Sequence, residues 1–315
     1  MAVRTLQSPP HLLPLYARAA LPLIPGIGLL PFVPGGGKRI PEIELVLEDV
    51  SAQAGSVAAY AKVCGFTLRE HLPITYPHVL AFPLHMAVMA DGHFPFGAVG
   101  LVHIENRIVQ HRPIAIGEQL RISVSPTALS AHPRGRTFTL VTQVSSDGEL
   151  VWEDFSTMLR RGGGEQAGPG EREAADRQGE GSPEADLRPS ATWRLPGDLG
   201  RRYASVSGDR NPIHMHALSA KLLGFPGAIA HGMWSKARCL AALESRLPES
   251  CEAQVRFRKP IVLPAKVQFA SSLSQEPAGA GPDEIRFALT EAKKGTPHLD
   301  GAVRLLPGNE RINTK

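Results

Sequence analysis

The sequence predicts an α+β protein made of the same unit twice, each unit an antiparallel sheet wrapped around one long helix. Three observations carry that prediction. Hydrophobic residues make up 43% of the 315-residue chain and charged residues 20%, the balance of a soluble globular protein. Apolar stretches of helical length are each followed by runs that partly alternate apolar and polar residues, the pattern of strands with one solvated face. The series also recurs after about 145 residues, with Tyr60 matching Tyr203, "VCG" matching "VSG" and "HRPI" matching "RKPI".

Residues 1–39 read as an irregular apolar lead-in. Pro14, Pro22, Pro25, Pro31 and Pro34 interrupt it, so no apolar run reaches the roughly 18 residues of a membrane-spanning helix. The first 41 residues contain no Asp or Glu, but Ser is too scarce and Pro too abundant for a transit peptide. Residues 40–161 form the first unit, with a helix over 78–90 and strands within 100–114, 118–127, 136–146 and 149–161. Residues 162–190 are rich in Gly, Glu, Arg and Pro and almost free of large apolar side chains. They cannot bury enough surface to offset their ordering entropy and read as a flexible linker. Residues 191–315 repeat the plan, with a helix within 227–247 and strands within 251–264, 265–273, 283–294 and 298–306.

The formal charge of +4 and a pI near 9.1 describe a mild basic excess. Lys and Arg are dispersed, which suits an anionic small molecule at least as well as a polynucleotide, and no nucleic-acid-binding motif is present. Cys64, Cys239 and Cys251 lie far apart, so no disulfide framework is implied and a cytoplasmic setting is expected.

The segment "SVSGDRNPIHMH", residues 205–216, concentrates titratable groups in a stiff frame. Pro212 is unsuited to a helix interior, and Asn211 before it is pushed toward extended or turn conformations. Asp209 and His214 are therefore aimed from a shaped loop, as a helix cap and a core histidine or as an acid–base pair. His214, His216, Asp209 and His231 also invite a metal reading.

The run "YASVSGDRNPIH", followed by "GFPGAIAHGM", resembles the signature of the MaoC-like, R-specific enoyl-CoA hydratase family, which has the hotdog fold. The likeness covers nearly all of residues 195–307, and residues 40–160 look like a second, degenerate hotdog unit. The resemblance implies a double hotdog whose halves form an internal pseudo-dimer, with further homo-oligomerisation open. It implies reversible hydration of 2-enoyl thioesters and dehydration of (3R)-3-hydroxyacyl thioesters of coenzyme A or an acyl carrier protein. Asp209 and His214 would be catalytic, Gly232 would offer a helix N-terminal N–H to the thioester oxygen, and Asn211 and His231 would support them. No cofactor, metal, nucleic acid or membrane span is expected. A hotdog thioesterase and a catalytically silent acyl-thioester-binding subunit are the alternatives. The family commonly has an acid two positions after the histidine, where this chain has His216.

The first unit supplies a contrast. The repeat places Phe66 at the Asp209 position, lacks the Asn-Pro pair, and sets Phe82-Pro83 against His231-Gly232 as the start of its helix. Proline has no N–H to give, so the first unit is expected to be a scaffold that completes the groove and holds an acyl tail. Arg210, Lys236, Arg256, Arg258 and Lys259 are candidates for meeting the carrier's phosphates.

Overall fold

The structure is a computed structural model that describes residues 2–21, 37, 39–98, 100–161, 187–272 and 284–306. Its first half supplies β1 (Ala2–Leu6), β2 (Ile43–Val50), β3 (Leu101–Gln110), β4 (Leu120–Pro126), β5 (Ser130–His132), β6 (Gly135–Ser146) and β7 (Glu149–Arg161). The second half supplies β8 (Arg188–Leu195), β9 (Cys251–Phe257), β10 (Ala265–Ser271), β11 (Glu284–Glu291) and β12 (Pro297–Leu305). All join one sheet in the order β1-β2-β4-β6-β7-β3-β9-β12-β11-β10-β8, with β5 on β6.

The seam is β3 against β9, antiparallel, with Asn106 opposite Val255 and Ile108 opposite Ala253. Outward from the seam the strands run β3, β7, β6, β4, β2 on one side and β9, β12, β11, β10, β8 on the other. The two sequences of strands follow the same permutation, so the internal repeat is a repeat of topology.

Each half-sheet holds a helix. α3 (Tyr76–Met89) is apolar nearly all round and lies against β2, β4 and β6, as a helix buried on every side should. Trp152 on β7 pins its start, donating its indole N–H to Ile74 O at 2.8 Å. The matching helix of the second half is α7 (Gly232–Ala242). A further helix precedes each of these two, α2 (Ala54–Cys64) and α4 (Leu199–Ser207). α2 and α4 pack on each other, and the repeat-related Tyr60 and Tyr203, both buried, bring their ring centroids within 6.1 Å. Trp234 of α7 donates to Val63 O of α2 at 3.1 Å, a second tie across the halves.

Four expectations need correction. The strands β2 and β8 and the helices α2 and α4 are absent from the predicted list: "IELVLEDV" is interrupted by acids and "RPSATWRL" by arginines and a proline. Their partners make them strands; Trp193, for example, pairs with Val267 on β10. β8 begins at Arg188, inside the range read as linker, while residues 162–186 lie outside the described residues. The lead-in is not irregular throughout. β1 pairs in parallel with β2, and α1 (Leu12–Ala20) carries Pro14 in its first turn, where no intrahelical N–H is needed. Finally, Pro83 stands inside α3 and does not open it; the helix starts at Tyr76, and Pro77 is the proline of its first turn.

Candidate active site

The loop that carries Asp209 and His214 is built by local rules. α4 ends on Gly208 in the left-handed conformation (φ 76°), its N–H returning to Ala204 O, the usual glycine stop. The chain then turns through Asp209, whose Oδ1 accepts from Asn211 N at 3.1 Å. Asn211 caps the single turn α5 (Pro212–Met215), accepting from Ile213 N at 3.4 Å, with Pro212 as its first residue. The cap of this loop is thus Asn211 rather than Asp209, which leaves the aspartate free for the cavity. His216 faces solvent as the residue before α6 (Ala217–Leu222) and stands apart from the cluster.

His214 is buried, and its Nδ1 donates to Ile229 O at 2.8 Å. That bond fixes the neutral tautomer and makes Nε2 an acceptor. Gly200 of α4 lies so close that a Cβ there would stand 2.0 Å from His214 O, so only glycine lets the helix seat the histidine. His231, just before α7, stacks on His214 with centroids 3.7 Å apart. Its Nε2 donates to Asp209 O at 3.0 Å and lies 3.7 Å from Oδ2.

Electrostatics divides the three groups. Burial alone raises the Asp209 carboxyl, but His231, His214 and the Asn211 N–H outweigh it, and its pKa falls below the usual carboxylate value. Burial lowers His214 despite Asp209, and pushes His231 down to about 3, with His214 adding to the effect. An ionised acid therefore sits beside neutral imidazoles at neutral pH. The ligand atoms of Asp209, His214 and His231 lie within 4.8 Å of one another, close enough to share a proton, a water or a cation.

All three line a cavity of about 180 Å³, together with Gly232. Gly232 is the first residue of α7, with a helix N-terminal N–H that meets no protein acceptor among the described residues. A Cβ at Gly232 would stand 3.1 Å from the Phe257 ring, so glycine also keeps this corner open. The first unit contributes His78, Phe82, His85, Met89, Leu140 and Met158 to the opposite wall. His71, the only histidine at the His214 spacing, is exposed and bridged to Ala115.

Of the proposed phosphate ligands, Lys236 is fully buried, and its Nζ donates to Asn106 Oδ1 at 2.5 Å and Ala253 O at 2.8 Å. It cannot reach a carrier in solvent; its stem crosses the seam between the halves. Arg258 is paired with Asp300. Lys259 is exposed where the cavity opens, and Arg210 and Arg256 are exposed without lining it.

Sequence reasoning missed Tyr16. From α1 its single O–H is shared between Gly208 O at 3.1 Å and Asp209 Oδ1 at 3.4 Å, and its oxygen accepts from Arg210 N at 2.6 Å. Only the contact of Tyr16 with a loop 192 residues away reveals it.

Two fused helix-in-sheet units with an acid–imidazole cluster at their common cavity define a double-hotdog protein of the MaoC-like class. The chain belongs to the MaoC-like dehydratase family and is a hydro-lyase. It is 36% identical over 282 residues to 3-hydroxyacyl-thioester dehydratase X of Mycobacterium tuberculosis, covering 88% of this chain and 94% of the relative. The MaoC like domain matches residues 181–288, the half that carries the motif. The crystal structure of M. tuberculosis HtdX aligns with a TM-score of 0.70 at 36% identity, over 84% of this chain and all of that one. A second M. tuberculosis protein, described as having a double hotdog fold, aligns at 15% identity and a TM-score of 0.56, over 86% of this chain and 98% of that one. That likeness concerns the fold alone.

Proposed function

We propose that the chain interconverts 2-enoyl thioesters and (3R)-3-hydroxyacyl thioesters, with Asp209 and His214 as the acid–base pair and Gly232 N–H as the oxyanion donor. One observation carries the reading: a single cavity gathers an ionised carboxylate, an imidazole with its acceptor nitrogen fixed, and a backbone N–H with no partner among the described residues. The name of the M. tuberculosis relative points the same way. In hydration, a water held between Asp209 and His214 Nε2 loses a proton to the pair as its oxygen bonds C3. The electron pair of the C2=C3 bond moves toward the thioester carbonyl, whose oxygen takes the charge opposite Gly232. A proton then returns to C2 and restores the thioester. Dehydration is the reverse, and neither direction consumes an oxidant or reductant.

Asn211 shapes the loop through its cap, and His231 holds the Asp209 backbone while stacking on His214. Lys259 marks the mouth where coenzyme A or a carrier's phosphopantetheine would emerge. The division into a lead-in, a first unit that supplies the acyl wall, a linker and a second unit that supplies the chemistry accords with this arrangement.

Asp209→Asn and His214→Ala should each lower turnover of an enoyl thioester by about two to four orders of magnitude, the scale of a lost general acid or base. Melting curves should stay close to wild type. A folded variant that keeps more than about a tenth of wild-type kcat would take that residue out of the mechanism.

A further inference from the structure

The inner wall of the cavity is not the wall an alkyl chain calls for. Among Phe82, Met89, Leu140 and Met158 stand three imidazoles, His78, His85 and His103, and the Ser156 hydroxyl. His78 is 8%, His85 2% and Ser156 2% exposed, and His103 is half-buried. The cavity reaches solvent at exposed Arg161, Lys259 and Pro260, so the carrier belongs at that rim and the acyl chain runs inward. An unbranched hydrocarbon offers a buried imidazole no hydrogen bond, and each polar group so left costs about 1–3 kcal/mol.

The imidazoles are also held in place. His78 Nδ1 bonds Asp154 Oδ2 at 2.6 Å, which leaves Nε2 as the nitrogen presented to the cavity. Asp154 accepts further from Asn106 Nδ2 and from Ser156 Oγ at 3.1 Å. Asn106 in turn accepts from Lys236. His85 Nε2 meets Thr142 Oγ1 at 2.7 Å, and His103 Nε2, with no hydrogen-bond partner among the described residues, is closed off from the cavity as well as from solvent. His78 and Lys236 both answer the Asp154 charge, and Arg161, which also lines the cavity, is exposed, so a neutral oxygen suits the inner wall. His78, His85 and Asp154 do bring ligand atoms within 4.8 Å of one another, but a cation there would face the Lys236 ammonium across Asn106.

We propose that this wall is a second recognition site, for a neutral oxygen on the acyl chain itself, and that the natural substrates are acyl thioesters bearing a hydroxyl or oxo group beyond C2 and C3. The proposal rests on the thioester reading above and narrows its substrate class. His78 Nε2 supplies the hydrogen bond; Phe82, Leu140 and Met158 enclose the methylenes on either side.

The test compares kcat/KM for 2-enoyl-CoAs of equal length, plain or carrying a hydroxyl or an oxo group at successive positions along the chain. One position should exceed the plain chain by about tenfold, the worth of one added hydrogen bond, and the two series separate hydroxyl from oxo. His78→Phe should bring the oxygenated-to-plain ratio close to one, and so should His78→Phe combined with Asp154→Asn, which leaves no unpaired buried carboxylate. The double variant serves where His78→Phe alone fails to fold. Plain chains turned over as well as every oxygenated one would overturn the proposal and leave the hydratase reading standing. Absence of turnover on any enoyl thioester would sink both. A stoichiometric metal ion held by the wild-type protein and lost on His78→Phe would also overturn it.

Discussion

Tyr16 shows how one side chain can set, from a distance, a group proposed to react. Its hydroxyl meets the carbonyl before Asp209, one carboxylate oxygen and the N–H after it, so it fixes both the loop and the acid. A donor on Oδ1 favours the ionised form. Tyr16→Phe should therefore lower kcat by about tenfold, the worth of one hydrogen bond, with a smaller change in KM. The acid limb of the pH–rate profile should move to higher pH as the Asp209 pKa rises. An unchanged profile would make Tyr16 a packing residue only. Asp209, His214 and Gly232 are legible in sequence because motif and site occupy one short segment and one helix start. Tyr16 and Gly200 are not, because their meaning lies in a contact with a loop that composition and spacing do not reveal.

At the scale of elements, the informative comparison is between the two long helices. α7 opens on Gly232 behind His231, whereas α3 opens on Tyr76 with Pro77 in its first turn. "IAHG" and "ITYP" therefore correspond better than the sequence pairing with Phe82-Pro83, and the first unit still has a proline near the place where the second has a glycine. Pro83 misled because a proline in an apolar run reads as a helix start; in the structure it is tolerated inside a helix buried among its neighbours. Gly232→Pro should lose the N–H and about 3 kcal/mol of transition-state stabilisation, roughly a hundredfold in rate. Gly232→Ala keeps the N–H but brings a Cβ within 3.1 Å of Phe257, so the proper control is Gly232→Ala combined with Phe257→Leu. Recovery in that double variant but not in the proline variant assigns the effect to the hydrogen bond. Equal losses in both would assign it to crowding and contradict the oxyanion role. The long helices and the strands after them were legible from periodicity. The strand and helix that open each unit were not: β2 and β8 owe their regularity to their sheet partners, and α2 and α4 to packing on each other.

For the whole molecule, the seam that joins two topologically equal halves also buries many ionisable groups. Burial, chiefly, pushes His85, His103 and His231 down to about 3, while Asp154, which burial alone would raise, is held at about 2 mainly by His78. Unfolded imidazoles take up protons near pH 6.5; the folded ones do so only near 3. The unfolded chain therefore binds more protons between these values, and stability must fall as pH drops from about 6.5 toward 3, with Asp154 extending the loss below 3.8. Denaturant unfolding from pH 7.5 to pH 4 should show that slope, and the pair His85→Leu with Thr142→Val should flatten it. A midpoint constant over this range would contradict the buried, neutral state of these histidines.

The central claim is that one cavity shared by both halves adds water to a conjugated thioester without cleaving it. The most direct measurement follows the enoyl absorbance of a 2-enoyl-CoA and free thiol in the same reaction, and then determines the configuration of the product. Loss of absorbance with no thiol release, and a (3R)-3-hydroxyacyl-CoA as product, is the predicted result. Thiol release at the rate of absorbance loss, or a (3S) product, would contradict it.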